Sequence, residues 1–157
     1  MRRLFPPALT ASLALAACFA LAARAAATYH SSVSGSQTAS ADGVSLNLNA
    51  SGDLPGMLTL TLRHEGGTVT GGSWSLIVLP PDADATSAEK GRLSGGVSAG
   101  TLTLDANGVV SAAVGLQLNL QGGTGQYAGV SGGSGSLGLS ADPENASKLG
   151  GPLQLDF

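Results

Sequence analysis

The chain has 157 residues and a formal charge of −3, from seven basic and ten acidic residues. Glycine fills 24 positions, charged residues make up 11%, aromatic residues 4%, and there is a single cysteine. That balance suits one compact domain and excludes both a disulfide-stapled scaffold and a basic surface for nucleic acid.

Arg2 and Arg3 precede an apolar, alanine-rich run from Leu4 to Ala23, and small residues close it at Ala25-Ala26-Ala27. This pattern predicts a secretory signal peptide over residues 1–27, cut after Ala27, with one domain over 28–157. A retained membrane helix fits less well, because no second apolar span follows. Leu15-Ala16-Ala17-Cys18 has the form of a bacterial lipobox, so lipidation of Cys18 is the alternative processing. Phe19 to Ala23 continue the apolar run directly after the cysteine, where lipoproteins usually turn polar. Losing Arg2, Arg3 and Arg24 leaves four basic residues against ten acidic, a net charge of −6. The expected location is secreted or periplasmic, or lipid-anchored through Cys18. No nucleic acid is expected as partner, and no membrane unless Cys18 is lipidated. Oligomeric state is left open. Without Cys18 the domain has no thiol nucleophile and no disulfide.

From Val44 onward, apolar and polar residues alternate. Val44, Leu46 and Leu48 stand against Ser45, Asn47 and Asn49; Leu58, Leu60 and Leu62 against Thr59, Thr61 and Arg63; Leu116, Leu118 and Leu120 against Gln117, Asn119 and Gln121. A period of two marks a strand with one face in the core and one in water. Strands are expected near 29–37, 44–52, 56–64, 68–79, 92–98, 100–105, 109–121, 130–140 and 151–157. Pro55-Gly56, Glu65-Gly66-Gly67-Thr68 and Asp105-Ala106-Asn107-Gly108 read as turns between neighbours, the Asn-Gly pair being a strong hairpin signal. Residues 82–91 could hold one helical turn at most.

Short links between successive strands predict a meander. The fold class is therefore all-β: a single antiparallel, roughly eight-stranded β-barrel, closed or nearly closed, preceded by a helical signal peptide. The Leu, Val and Trp74 faces are expected inside and the Ser, Thr, Asn and Gln faces outside. A parallel solenoid would need a fixed repeat, and no period extends over more than two segments.

The segment Gly122-Gly123-Thr124-Gly125-Gln126-Tyr127-Ala128-Gly129-Val130-Ser131-Gly132 is the densest motif. It lacks the spacing of a dinucleotide fingerprint, the Lys-Ser/Thr of a phosphate loop and the aspartate of a calcium-binding glycine repeat. Asp82, Asp84 and Thr86 begin like a calcium loop, but Ser87 and Leu93 replace its glycine and its bidentate glutamate. The segment resembles a turn motif, G-G-T-G-x-[FY]-x-G/A-x-x-G, of the allene oxide cyclase-like and dirigent-like β-barrels. The resemblance covers residues 92–157 well and 44–80 by strand pattern alone. It implies a barrel, and in the plant relatives either cyclisation of an epoxide or steering of coupled radicals. Both depend on pocket positions with no counterpart that can be matched here. Read from the residues alone, Gly122, Gly123, Gly125, Gly129 and Gly132 form a structural corner, and Tyr127 plugs one barrel end with its hydroxyl at the rim.

Catalytic groups are few. His30 and His64 are the only imidazoles, and Arg63-His64-Glu65 is the densest polar cluster, a weak candidate for a rim acid/base pair. No catalytic residue, metal site or cofactor is assigned. The functional expectation is an exported module rather than an enzyme, either binding a small apolar ligand in the lumen or serving a structural or interaction role. A dirigent- or cyclase-like isomerase acting in the lumen is the first alternative. The second is a small outer-membrane barrel, suggested by Leu153, Leu155 and terminal Phe157. Spanning strands need about 9–11 residues and two aromatic girdles, against which most runs here are short and aromatics few.

Overall fold

The computed structural model describes residues 26–40, 43–82 and 88–157. Residues 1–25 of the expected leader, with Cys18, and the Asp84, Thr86 and Ser87 positions lie outside the described residues. Eight antiparallel strands make a closed barrel in sequence order. They are β1 (Thr28–Ser40), β2 (Gly43–Gly52), β3 (Gly56–Glu65), β4 (Thr68–Val78), β5 (Gly91–Leu104), β6 (Val110–Gly125), β7 (Gly133–Asp142) and β8 (Asn145–Asp156). β1 pairs with β8 from Thr28↔Asp156 to Ser36↔Lys148, which removes both free edges.

The alternation in the sequence becomes an inside and an outside. Leu46, Leu58, Leu60, Leu62, Leu76, Leu93 and Leu116 have no exposed surface. Trp74 lies among them at 3% exposure, opposite Leu60 on β3 and Gly95 on β5. Full burial of one such leucine contributes roughly 1.5–3 kcal/mol, so the interior is the main source of stability in a domain whose strands are otherwise polar. Outward positions on the same strands carry Thr59, Thr61, Ser73, Gln117 and Asn119, all exposed.

Several of the nine expected runs differ from the eight observed strands. The runs at 92–98 and 100–105 are one strand, β5, whose register with β6 shifts on both sides of Ala99. Ser98-Ala99-Gly100 interrupts the alternation without ending the pairing, as a bulge does where a barrel wall must bend. β8 begins at Asn145 rather than 151, because Asn145 to Lys148 pair as a polar hairpin arm with no apolar signal. β7 begins at Gly133 rather than 130, since Val130 follows the turn and its N–H donates to the Tyr127 carbonyl at 2.9 Å. Pro55-Gly56 is not the turn itself: Asp53, Leu54 and Pro55 make the link and Gly56 opens β3.

The two mouths of the barrel differ. At one, β1 starts, β8 ends, and β2 leads to β3, β4 to β5 and β6 to β7. At the other, the links are short: Gly66-Gly67 joins β3 to β4 with φ of 54° and 86°, as a two-residue hairpin requires. Residues 105–109 join β5 to β6, with the Asp105 carboxylate accepting the N–H of Asn107 and of Val109, both at 2.8 Å.

Candidate functional site

The glycine corner divides on inspection. Gly122 to Gly125 are the last residues of β6, and Gln126 to Gly129 form the turn that follows. Gly125 has φ of 61°, and the Gln126 N–H donates to the Lys90 carbonyl at 3.0 Å. A Cβ on Gly123 would lie 2.5 Å from the Tyr127 carbonyl oxygen and 2.7 Å from its Cβ. Gly91 on β5 makes room for the same ring, since a Cβ there would stand 3.0 Å from Tyr127 Cδ2. Gly129 and Gly132 have open space around them and no such constraint. Within the motif Gly123 thus makes room for Tyr127, while Gly125 passes close to Lys90 and Gly91.

Tyr127 is buried and meets Phe157 edge to face, with centroids 6.1 Å apart and an angle of 83°. Phe157 stacks in turn on Tyr29 at 4.6 Å. Leu54 tucks into the same mouth, its N–H donating to Ser31 Oγ at 3.2 Å. Three rings and a leucine therefore close this end with apolar surface.

Arg63, His64 and Glu65 sit at the opposite mouth, where the β3–β4 register shifts between Arg63 and His64. His64 pairs with buried Val69 and shares its inward face, while Arg63 and Glu65 are exposed. Adjacent strand residues point to opposite faces, so the three do not converge on one substrate position. His64 Nδ1 is buried and has no hydrogen-bond partner among the described residues. The Arg63 guanidinium lies over Gly71, whose added Cβ would be 3.3 Å from Nη2. No group of three metal-ligating side chains occurs among the described residues.

His30, the other imidazole, lies on the outer wall near the aromatic mouth. Its backbone N–H donates to Asp53 Oδ2 at 2.8 Å. Next to it, Asp156 accepts from the Thr28 hydroxyl at 2.6 Å and from the Gln154 amide at 3.2 Å. The Thr28 hydroxyl first, then the Gln154 amide and the positive charge of His30, hold the Asp156 carboxyl below its usual range. His30 falls within the strand expected over 29–37, and its place beside Gln154 and Asp156 depends on β1 meeting β8.

The concavities lie outside as well. One of about 570 Å³ spans β7, β8, β1 and β2 beside His30, Ser32, Ser136 and Gln154. A second, of about 620 Å³, continues along the same strands toward the hairpin mouth, past Ser34, Ser36, Asn47, Asn49 and Lys148. A shallower one of about 250 Å³ adjoins both at Gly138, Ser140, Gly150 and Pro152, beneath the exposed Val114. Small outward side chains on β1, β7 and β8 hollow the wall here. The serines and glycines were visible in the sequence, but which of them face outward was not, because β1 has no run of alternating leucines to set its phase.

The chain was compared with protein-family models, curated proteins and solved structures, and matches none of them.

Proposed function

We propose that the chain is an exported, non-catalytic barrel module that works through its outer wall in a structural or interaction role. The observation that carries this is the filled interior: Leu46, Leu58, Leu60, Leu76, Leu93 and Leu116 occupy the inward positions with no exposed surface. A small apolar ligand in the lumen, or an isomerisation carried out there, would need the volume these side chains take. The separation of His64 from Arg63 and Glu65 across the wall also favours a module over an enzyme. Export is supported by the leader pattern of residues 1–27 and by the lack of cysteine in residues 28–157.

The outward face supports a setting in water. A membrane-spanning barrel turns an apolar band to lipid and a polar surface inward, whereas here the leucines are inside and serine, threonine and amide side chains are outside. The glycine corner that seats Tyr127 is the feature shared with allene oxide cyclase-like barrels, and membership of that superfamily is proposed on the motif and the meander together.

Titration with a neutral, environment-sensitive dye such as N-phenyl-1-naphthylamine, on protein recovered from the periplasmic or culture fraction, tests the reading. The expected outcome is no saturable uptake. One-to-one uptake that raises the unfolding midpoint would mean an accessible lumen and overturn it. Failure to find the protein in either fraction would remove the exported half.

A further inference from the structure

We propose that the concavity at the hairpin half of the β1–β2–β8 wall is a binding site for a neutral saccharide. The proposal rests on the reading that the barrel acts through its wall, and names the ligand class and the residues.

Two rungs of the barrel carry the site. Across β1 and β2, Ser34 stands opposite Asn49 and Ser36 opposite Asn47. Across β1 and β8, Ser36 stands opposite Lys148 and Ser34 opposite Gly150. Neighbouring strands lie roughly 4.8 Å apart and same-face residues roughly 6.6 Å apart along a strand, so the polar side chains form a grid rather than a point. Gly150 leaves the β8 corner of the grid beside Ser34 without a side chain, and Asp142 and Pro143 line the hollow at the hairpin mouth. The hollow is about 620 Å³, within the range of about 300–1,000 Å³ for small-molecule sites.

Ser34, Ser36, Asn47, Asn49 and Lys148 make no side-chain hydrogen bond or ion pair with any described residue. Gln37, the next residue along β1, differs: it gives and takes hydrogen bonds with Val110 and Ala146. The grid thus offers donors and acceptors that nothing within the fold uses.

The chemistry selects the ligand class. Hydroxyls and side-chain amides both donate and accept, which matches a ligand whose groups do the same. A phosphate or carboxylate fits less well, because the Asp142 carboxylate shares the hollow with Lys148 and residues 28–157 carry a net charge of −6. An apolar ligand would strip water from five polar side chains without replacing their hydrogen bonds. An extended peptide has no strand edge to join, since the barrel is closed. What is left is a neutral polyhydroxylated chain. With no aromatic side chain in the hollow to stack on a ring, binding should be weak, with a dissociation constant on the order of 1 mM.

The test is a ¹H–¹⁵N titration of the folded domain with maltohexaose and, separately, cellohexaose, each taken well past the expected dissociation constant. Saturable shifts at the Asn47 and Asn49 side-chain amides are expected, with at least tenfold weaker binding in an Asn47→Ala, Asn49→Ala double variant. Both asparagines are exposed, so the double variant should unfold at the parent's denaturant midpoint. The absence of saturable shifts with both sugars, or shifts that persist in the double variant, would overturn the proposal. Tighter binding of polygalacturonate than of either neutral sugar, weakening as salt is added, would overturn the neutral class. None of these outcomes bears on dye uptake by the lumen, so failure here leaves the wall-acting reading standing or falling by its own test.

Discussion

The two mouths of this barrel face the same problem and solve it with different chemistry. Each must cover a leucine interior and satisfy the backbone groups that the strands leave at their ends. Where β1 starts and β8 ends, rings do the covering: Phe157 stacks on Tyr29 and meets Tyr127 edge to face. Where the connections are tight turns, there is no length of loop to fold inward, and a single amide spans the gap. Gln37 Nε2 donates to the Val110 carbonyl at 2.7 Å, and Gln37 Oε1 accepts the Val110 N–H at 2.8 Å. A third bond from Nε2 reaches the Ala146 carbonyl at 3.2 Å. β1 and β6 are not neighbours in the sheet, so this side chain ties strands together across the mouth. Of the three rings only Tyr127 comes from a connection; Tyr29 lies on β1 and Phe157 directly follows β8.

The contrast predicts an order of sensitivities. Tyr127→Ala should have the largest effect, lowering unfolding free energy by about 3 kcal/mol through lost burial and an unfilled seat between Gly91 and Gly123. Equilibrium denaturation in guanidinium measures it. Gln37→Met keeps the length of the side chain but leaves both Val110 backbone groups unpaired, which should cost about 1–3 kcal/mol. If Gln37→Met proved the more damaging of the two, the aromatic mouth would not be the better-packed end and the comparison would fail.

The smallest effect is expected at Asp105, in the hairpin mouth's exposed turn. Backbone N–H groups of Val109 and then Asn107 favour its charged form and lower its pKa from the ordinary 3.8. Its contribution is therefore fully present above that ordinary value and is lost as pH falls through the lower folded value. Asp105→Asn should be less stable than the parent at neutral pH, with the gap closing below about pH 4 as the parent's own carboxylate is protonated. Asp156 at the other mouth is shifted the same way but is unchanged in both proteins. A difference between them that persisted unchanged under strong acid would show that the Asp105 charge does not hold this turn.

Much of the architecture could be read from local pattern. Leu58, Leu60 and Leu62 alternating with threonines, and Gly66-Gly67 between two such runs, specify a strand, its buried face and its turn through nearest-neighbour chemistry alone. The errors fell where that chemistry is silent. Asn145 to Lys148 have no alternating apolar pattern to announce a strand, and they are held in one by pairing with Asp142 and with Ser36. Ser98-Ala99-Gly100 looks like a gap because a bulge and a break both interrupt alternation. Tyr127 was placed at a barrel end from its glycine surroundings, but Phe157 and Tyr29 as its companions required β1 to meet β8. The candidate site was less legible still: Ser34 and Ser36 meet Asn49 and Asn47 across the β1–β2 pair, but Lys148 joins them only because β8 closes onto β1.

What the sequence determined by itself was the alternation, the turn chemistry and hence a meander of polar-faced strands around leucine, since each depends on residues within a few positions of one another. What the tertiary structure decided was closure: which face of the weakly patterned β1 turns outward, which residues meet across the β1–β8 seam, and how each mouth is sealed. Those outcomes depend on pairing residues more than a hundred positions apart, Thr28 with Asp156 and Ser36 with Lys148. No local propensity encodes such a register, and the leucine interior sets it by filling its own space.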